Sequence, residues 1–164
     1  MADYLVLGLG NSILRDEGLG VRAVERLRER YALPEAVEAL DGGTLGLHLL
    51  PYLEGVRSLL IVDAVRVTEP PGTLVRLEGD AIPQALGHRL SLHQFGLSEL
   101  LAVARTQGPP PERIVLWGMV PERIEPGLDL TPEVAANLDT LVERVAGELA
   151  GWGLAAAPGA AAGA

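Results

Sequence analysis

Residues 4–31 read YLVLGLGNSILRDEGLGVRAVERLRERY, and three patterns follow one another in them. Tyr4 to Leu9 is a short, continuous apolar run ending in glycines, as expected of a strand buried on both faces of a parallel sheet. From Leu19 the spacing changes: Val21, Val24, Leu27 and Tyr31 recur at helical intervals, and Arg22, Glu25, Arg26, Glu29 and Arg30 fill the other face. Between strand and helix lies a loop that carries two successive acids, Asp16 and Glu17. A buried strand feeding an amphipathic helix is the building unit of α/β folds.

The alternation continues. Pro34 ends the first helix, Ala36 to Leu40 reads as a second strand, and DGGT (Asp41 to Thr44) reads as a tight turn into a short helix through Leu45 to Leu53. SLLIVDAV, Ser58 to Val65, is the most apolar strand candidate and carries one acid, Asp63, near its C-terminal end. PPGTLVRLEG, Pro70 to Gly79, is a turn followed by an alternating segment that suits a half-exposed, antiparallel edge strand. RLSLHQFGLSELLAVA, Arg89 to Ala104, begins as a loop holding His93 and becomes helical near Leu97; Gly108 and three prolines then stop it. RIVLWGMV, Arg113 to Val120, is a fifth strand, and Thr131, Pro132 and Glu133 are an N-cap, first-turn proline and first-turn acid opening a helix to about Ala150.

The predicted fold is a three-layer α/β sandwich: a mostly parallel, five-stranded, twisted sheet with one antiparallel edge strand and helices on both faces. It forms a single domain over residues 1–153. Residues 154–164, LAAAPGAAAGA, are alanine and glycine with no side chains able to anchor them, which predicts a frayed tail.

Composition narrows the function. A formal net charge of -9 argues against nucleic acid as a partner, because phosphate neutralisation needs clustered basic residues. With no cysteine, disulfides, thiolate metal sites and cysteine nucleophiles are excluded, so any metal must take nitrogen and oxygen ligands. The first apolar run is too short for a signal or membrane segment and has no basic residues before it, which predicts a cytoplasmic protein with no membrane segment.

In open α/β sheets ligands bind beyond the C-terminal strand ends. There the sequence delivers Asp16 and Glu17 after strand one, Asp41 after strand two, Asp63 at the end of strand three, and His93 beyond strand four. A dinucleotide site is partly imitated by Gly8, Gly10 and Asp41, but GxGxxG would require glycine at Ile13. The helix also starts late, and two acids beside its N-terminus repel a pyrophosphate. Two carboxylates and one imidazole are instead a metal site with open positions, suited to nickel, zinc or iron rather than calcium or magnesium. Its predicted ligands are Glu17, Asp63 and His93. Each also has an ordinary role available: complementing a helix dipole for Glu17, capping a turn for Asp63, and supporting a loop for His93. His48 and His88 read as surface or packing histidines.

Five motifs in order carry a resemblance: LGLGNSILRDEGLGVR from Leu7, LDGGTLG from Leu40, VDA from Val62, SLHQFGL from Ser91 and WGMVPE from Trp117. Together they resemble the hydrogenase maturation endopeptidases, which trim the large subunit of nickel-iron hydrogenases. The metal-binding positions of that family match Glu17 in DEG, Asp63 in VDA and His93 in HQFGL, and its fold is a parallel-rich sheet flanked by helices. One departure is Leu92, where many relatives have proline. The resemblance implies removal of a C-terminal extension from the large-subunit precursor after nickel insertion. It implies too that the nickel is supplied by the substrate and that other divalent metals can occupy the site. A monomer suits a protease that must admit another folded protein. The catalyst is left open: nickel polarising the carbonyl or activating water, or Asp41 or Asp16 as general base. Two other readings stand beside this one, a non-catalytic module that checks the metal of a partner and a nucleotide-binding enzyme.

Overall fold

A computed structural model describes residues 3–43, 46–82 and 97–159. In chain order the strands are β1 (Tyr4–Leu9), β2 (Tyr31–Ala32), β3 (Val37–Gly43), β4 (Ser58–Ala64), β5 (Leu74–Glu78), β6 (Arg113–Met119) and β7 (Ala157–Pro158). The helices are α1 (Leu19–Arg30), α2 (Leu50–Leu53), α3 (Leu97–Gln107) and α4 (Pro132–Gly151), with single 3-10 turns at Arg15–Gly18 and Gly46–Leu49.

The main sheet has five strands in the order β3-β1-β4-β6-β5. All neighbours are parallel except β5, which runs antiparallel to β6 at the edge. Residue alternation splits the core into two layers. Val6, Leu60, Val62, Val115 and Met119 meet Leu19, Val24 and Leu27 of α1 and Leu138, Leu141 and Val145 of α4. Leu5, Leu7, Leu59, Ile61 and Leu116 point the other way, toward Leu49, Leu53 and Leu101. Every residue of β4 is therefore buried, which is why its sequence runs apolar without alternating. The predicted sandwich and its antiparallel edge strand are both present.

Three expectations need correction. The DGGT stretch was expected to leave the sheet as a turn, but β3 continues through Gly43. Gly8 pairs with Asp41 and Leu9 with Gly43, so Gly42 is an extra residue, and Gly43 absorbs the irregularity at φ +48. Glycines that permit a turn also permit a bulge, so the two look alike in sequence. Next, the predicted frayed tail is anchored as far as Gly159. Ala157 and Pro158 pair antiparallel with Ala32 and Tyr31, and the Gly159 amide donates to the Arg30 carbonyl at 2.8 Å. This pairing uses backbone groups, so side-chain composition could not reveal it. It also takes Tyr31 out of the helix. Finally, Thr131 occupies the N-cap position of α4, but its hydroxyl makes no cap bond and turns to Asp16 instead.

Candidate functional site

The C-terminal ends of β1, β3, β4 and β6 form one rim, and the loop after β1 folds down onto it. Two glycines permit this. Gly10 sits at φ +130, and a side-chain carbon there would overlap the carbonyl oxygen of Glu17. Gly20 lies against the carbonyl oxygens of Val62 and Leu9, so α1 begins pressed onto the strand end next to Asp63. A side-chain carbon at Gly8 would likewise run into the Gly20 carbonyl oxygen, so Gly8 and Gly10, the two glycines that imitate a nucleotide loop, serve close packing. The turn Arg15–Gly18 packs against β4 as a result.

Two carboxylates are buried at this sheet end, Glu17 at 1% exposure and Asp63 at 3%. One oxygen of Asp63 accepts a hydrogen bond from the Ala64 amide at 2.7 Å. Carboxylates withdrawn from water need cations or donors around them, and oxygen ligands of this kind fit a divalent metal. Among the described residues no group of three or more His, Asp or Glu is arranged to hold a metal. The predicted third ligand, His93, lies outside the described residues, as does His88. Asp41 stands exposed on β3, opposite Gly8 in the register, and reaches the same rim. His48 is exposed in the 3-10 turn before α2.

Asp16 behaves differently from its neighbour. It is fully buried, and its carboxylate accepts hydrogen bonds from four donors. Oδ2 takes the Glu122 amide at 2.9 Å, the Arg123 amide at 3.0 Å and the Thr131 hydroxyl at 2.7 Å; Oδ1 takes the Thr131 amide at 2.8 Å. The segment from Glu122 to Thr131 is therefore part of the site's framework. Sequence reasoning missed it because most of its contributions are backbone N–H groups, which every residue but proline carries. The motif WGMVPE was visible, but its purpose was not.

Comparison with known proteins shows the family. The family described as hydrogenase maturation protease, HycI, matches residues 21–148. The chain belongs to this family. It is 44% identical over 158 residues to the hydrogenase expression/formation protein HupD of Rhodobacter capsulatus, covering 95% of this chain and 75% of that one. It is 42% identical over 155 residues to the hydrogenase 2 maturation protease of Escherichia coli, covering 94% of each. The structure superimposes on the hydrogenase maturating endopeptidase HybD from E. coli with a TM-score of 0.90, at 42% identity, over 96% of this chain and 98% of that one. The HybD protease of Thermococcus kodakarensis gives a TM-score of 0.74 at 28% identity, over 92% and 99% of the two chains. This hydrogenase maturation protease is accordingly a hydrolase of the endopeptidase class. No helix among its described residues is long and apolar enough to cross a membrane.

Proposed function

We propose that this protease removes the C-terminal extension of a nickel-iron hydrogenase large-subunit precursor after nickel insertion, and that it recognises nickel carried by the substrate. The carrying observation is the burial of Glu17 and Asp63 at one sheet end, on a turn and a strand that pack together. With His93 they supply three hard or borderline ligands, leaving coordination positions for groups the substrate brings. Nickel held this way supplies Lewis-acid polarisation of a nearby carbonyl or water. The chain's own contribution is to orient the loaded substrate at the rim and to hold or move a proton there. Asp41, exposed at that rim, is the general base of this proposal. Asp16 does not share the role, because its carboxylate is buried beneath its own donors and cannot reach a substrate proton. The protein acts in the cytoplasm as a monomer.

The test is purified protease mixed with nickel-loaded and nickel-free precursor, followed by intact-mass spectrometry. Loss of a C-terminal peptide from the loaded form alone is expected, and Glu17→Gln, Asp63→Asn and His93→Ala each abolish it. Equal cleavage of both precursors would refute nickel recognition, and cleavage of neither would refute the substrate assignment.

A further inference from the structure

The acid pair in the loop divides its labour. We infer that Asp16 is a positioning residue: its buried carboxylate ties the turn that carries Glu17 to the Glu122–Thr131 segment and so fixes where Glu17 presents its own carboxylate. This role rests on the proposed ligand role of Glu17.

The four donors to Asp16 lie 106 to 115 positions away along the chain, so the bonds are tertiary fasteners and not local turn chemistry. They are charge-assisted and sheltered from water, the circumstances in which hydrogen bonds are strongest. Backbone bonds reinforce them. The Asp16 amide donates to the Arg123 carbonyl at 3.3 Å, the Arg15 amide to the Gly127 carbonyl at 3.0 Å, and the Gly127 amide to the Ile13 carbonyl at 3.0 Å. One side of the turn is thus held by the Glu122–Thr131 segment, and the other by Gly10 and β4.

Successive side chains of a 3-10 turn diverge by about 120°, since the turn has three residues. With Asp16 locked on one side, the direction of Glu17 follows. Any rotation of the turn that moved Glu17 would first have to break the Asp16 bonds. In metal sites the groups that orient a ligand are commonly separate residues bonded to it; here the preceding residue does so through the backbone.

Three single variants test this: Asp16→Asn, Thr131→Val and Glu17→Gln, with Thr131→Ser as the conservative control. Asparagine keeps the shape of the acid but turns one acceptor into an amide donor that must oppose an N–H or hydroxyl donor. Valine replaces the hydroxyl that donates to Asp16 with a methyl group and leaves the Thr131 amide bond available. Each protein is confirmed folded by circular dichroism and titrated with Ni²⁺ by calorimetry. Turnover of nickel-loaded precursor is measured in parallel.

Asp16→Asn is expected to weaken Ni²⁺ binding by about 10- to 100-fold, the usual effect of removing a ligand-orienting group. Thr131→Val weakens it less, and Thr131→Ser restores it. Added to Glu17→Gln, Asp16→Asn produces little further loss, because both changes act on one interaction. The KM for nickel-loaded precursor rises in Asp16→Asn, because the protease holds that substrate through its nickel, and stays at the unaltered value in Thr131→Ser. Full Ni²⁺ affinity in both Asp16→Asn and Thr131→Val, alongside weakened binding in Glu17→Gln, overturns the inference and leaves the ligand reading intact. Binding of Ni²⁺ and of nickel-loaded precursor that Glu17→Gln leaves unchanged overturns the ligand reading and this role with it. Should Asp16→Asn not fold, the comparison of Thr131→Val with Thr131→Ser decides.

Discussion

Arg76 on β5 and Glu148 on α4 form a two-point ion pair, with Nε to Oε1 at 2.7 Å and Nη2 to Oε2 at 3.2 Å. Glu148 also accepts both tryptophan indole N–H groups, Trp117 at 2.8 Å and Trp152 at 3.1 Å. One carboxylate thus fastens the edge strand, the adjacent β6 and the end of the last helix together.

These bonds favour the charged form of Glu148, the Arg76 hydrogen bonds most, and hold its carboxyl below the ordinary value of 4.5. A depressed folded-state pKa stabilises the native state fully above the unfolded value, and that contribution is lost as pH falls through the folded value. Glu148→Gln should therefore be less stable than the unaltered chain at neutral pH, and the gap should close as the pH falls below about 4.5. Urea denaturation followed by tryptophan fluorescence checks this, and a gap that grows toward acid contradicts it.

Glycines in this chain divide into those that permit contact and those that do not. A side chain at Gly20 meets the backbone of Val62 and Leu9, where nothing flexible can yield, whereas at Gly147 it meets open space inside α4, one turn before the helix ends. Gly20→Ala should destabilise by about 3 kcal/mol or more through displacement of α1. Gly147→Ala should stabilise by about 0.5–1 kcal/mol through helix propensity. Chemical denaturation of both variants provides the measurement, and Gly20→Ala should also slow cleavage, because α1 begins beside the buried acids.

Side-chain patterning predicted what side chains cause. The buried runs of β1, β4 and β6 and the apolar stripes of α1 and α4 were legible because burial selects residue type along a strand or helix face. The edge position of β5 was legible from its alternation. What escaped was made by the backbone: the β2–β7 pairing, the bulge at Gly42 and the amide donors of the Glu122–Thr131 segment. Asp16 and Glu17 are chemically alike and adjacent, so only coordinates could show that one is fastened to Glu122, Arg123 and Thr131 while the other sits on the turn packed against β4.

The anchored tail supports a prediction about truncation. Ending the chain after Leu154 removes the β2–β7 pairing and the Gly159–Arg30 bond but spares Leu154, which packs on the core. A few partly exposed backbone bonds are worth about 1 kcal/mol net. The truncated protein should lose about that much stability by denaturant titration and cleave precursor at an unchanged rate, since the pairing is remote from the rim.

Asp41 allows activity and stability to be separated. Its side chain is exposed on β3, no described hydrogen bond or ion pair engages it, and turn chemistry no longer accounts for it, because β3 continues past it through Gly43. An exposed polar residue without fastening partners changes stability by less than about 0.5 kcal/mol when replaced. A general base, by contrast, contributes about 10²- to 10⁴-fold to rate. Asp41→Asn should therefore unfold at the same denaturant concentration as the unaltered protease while its kcat on nickel-loaded precursor falls at least about 10²-fold. An unchanged kcat would remove Asp41 from the chemistry and leave proton transfer to nickel-activated water.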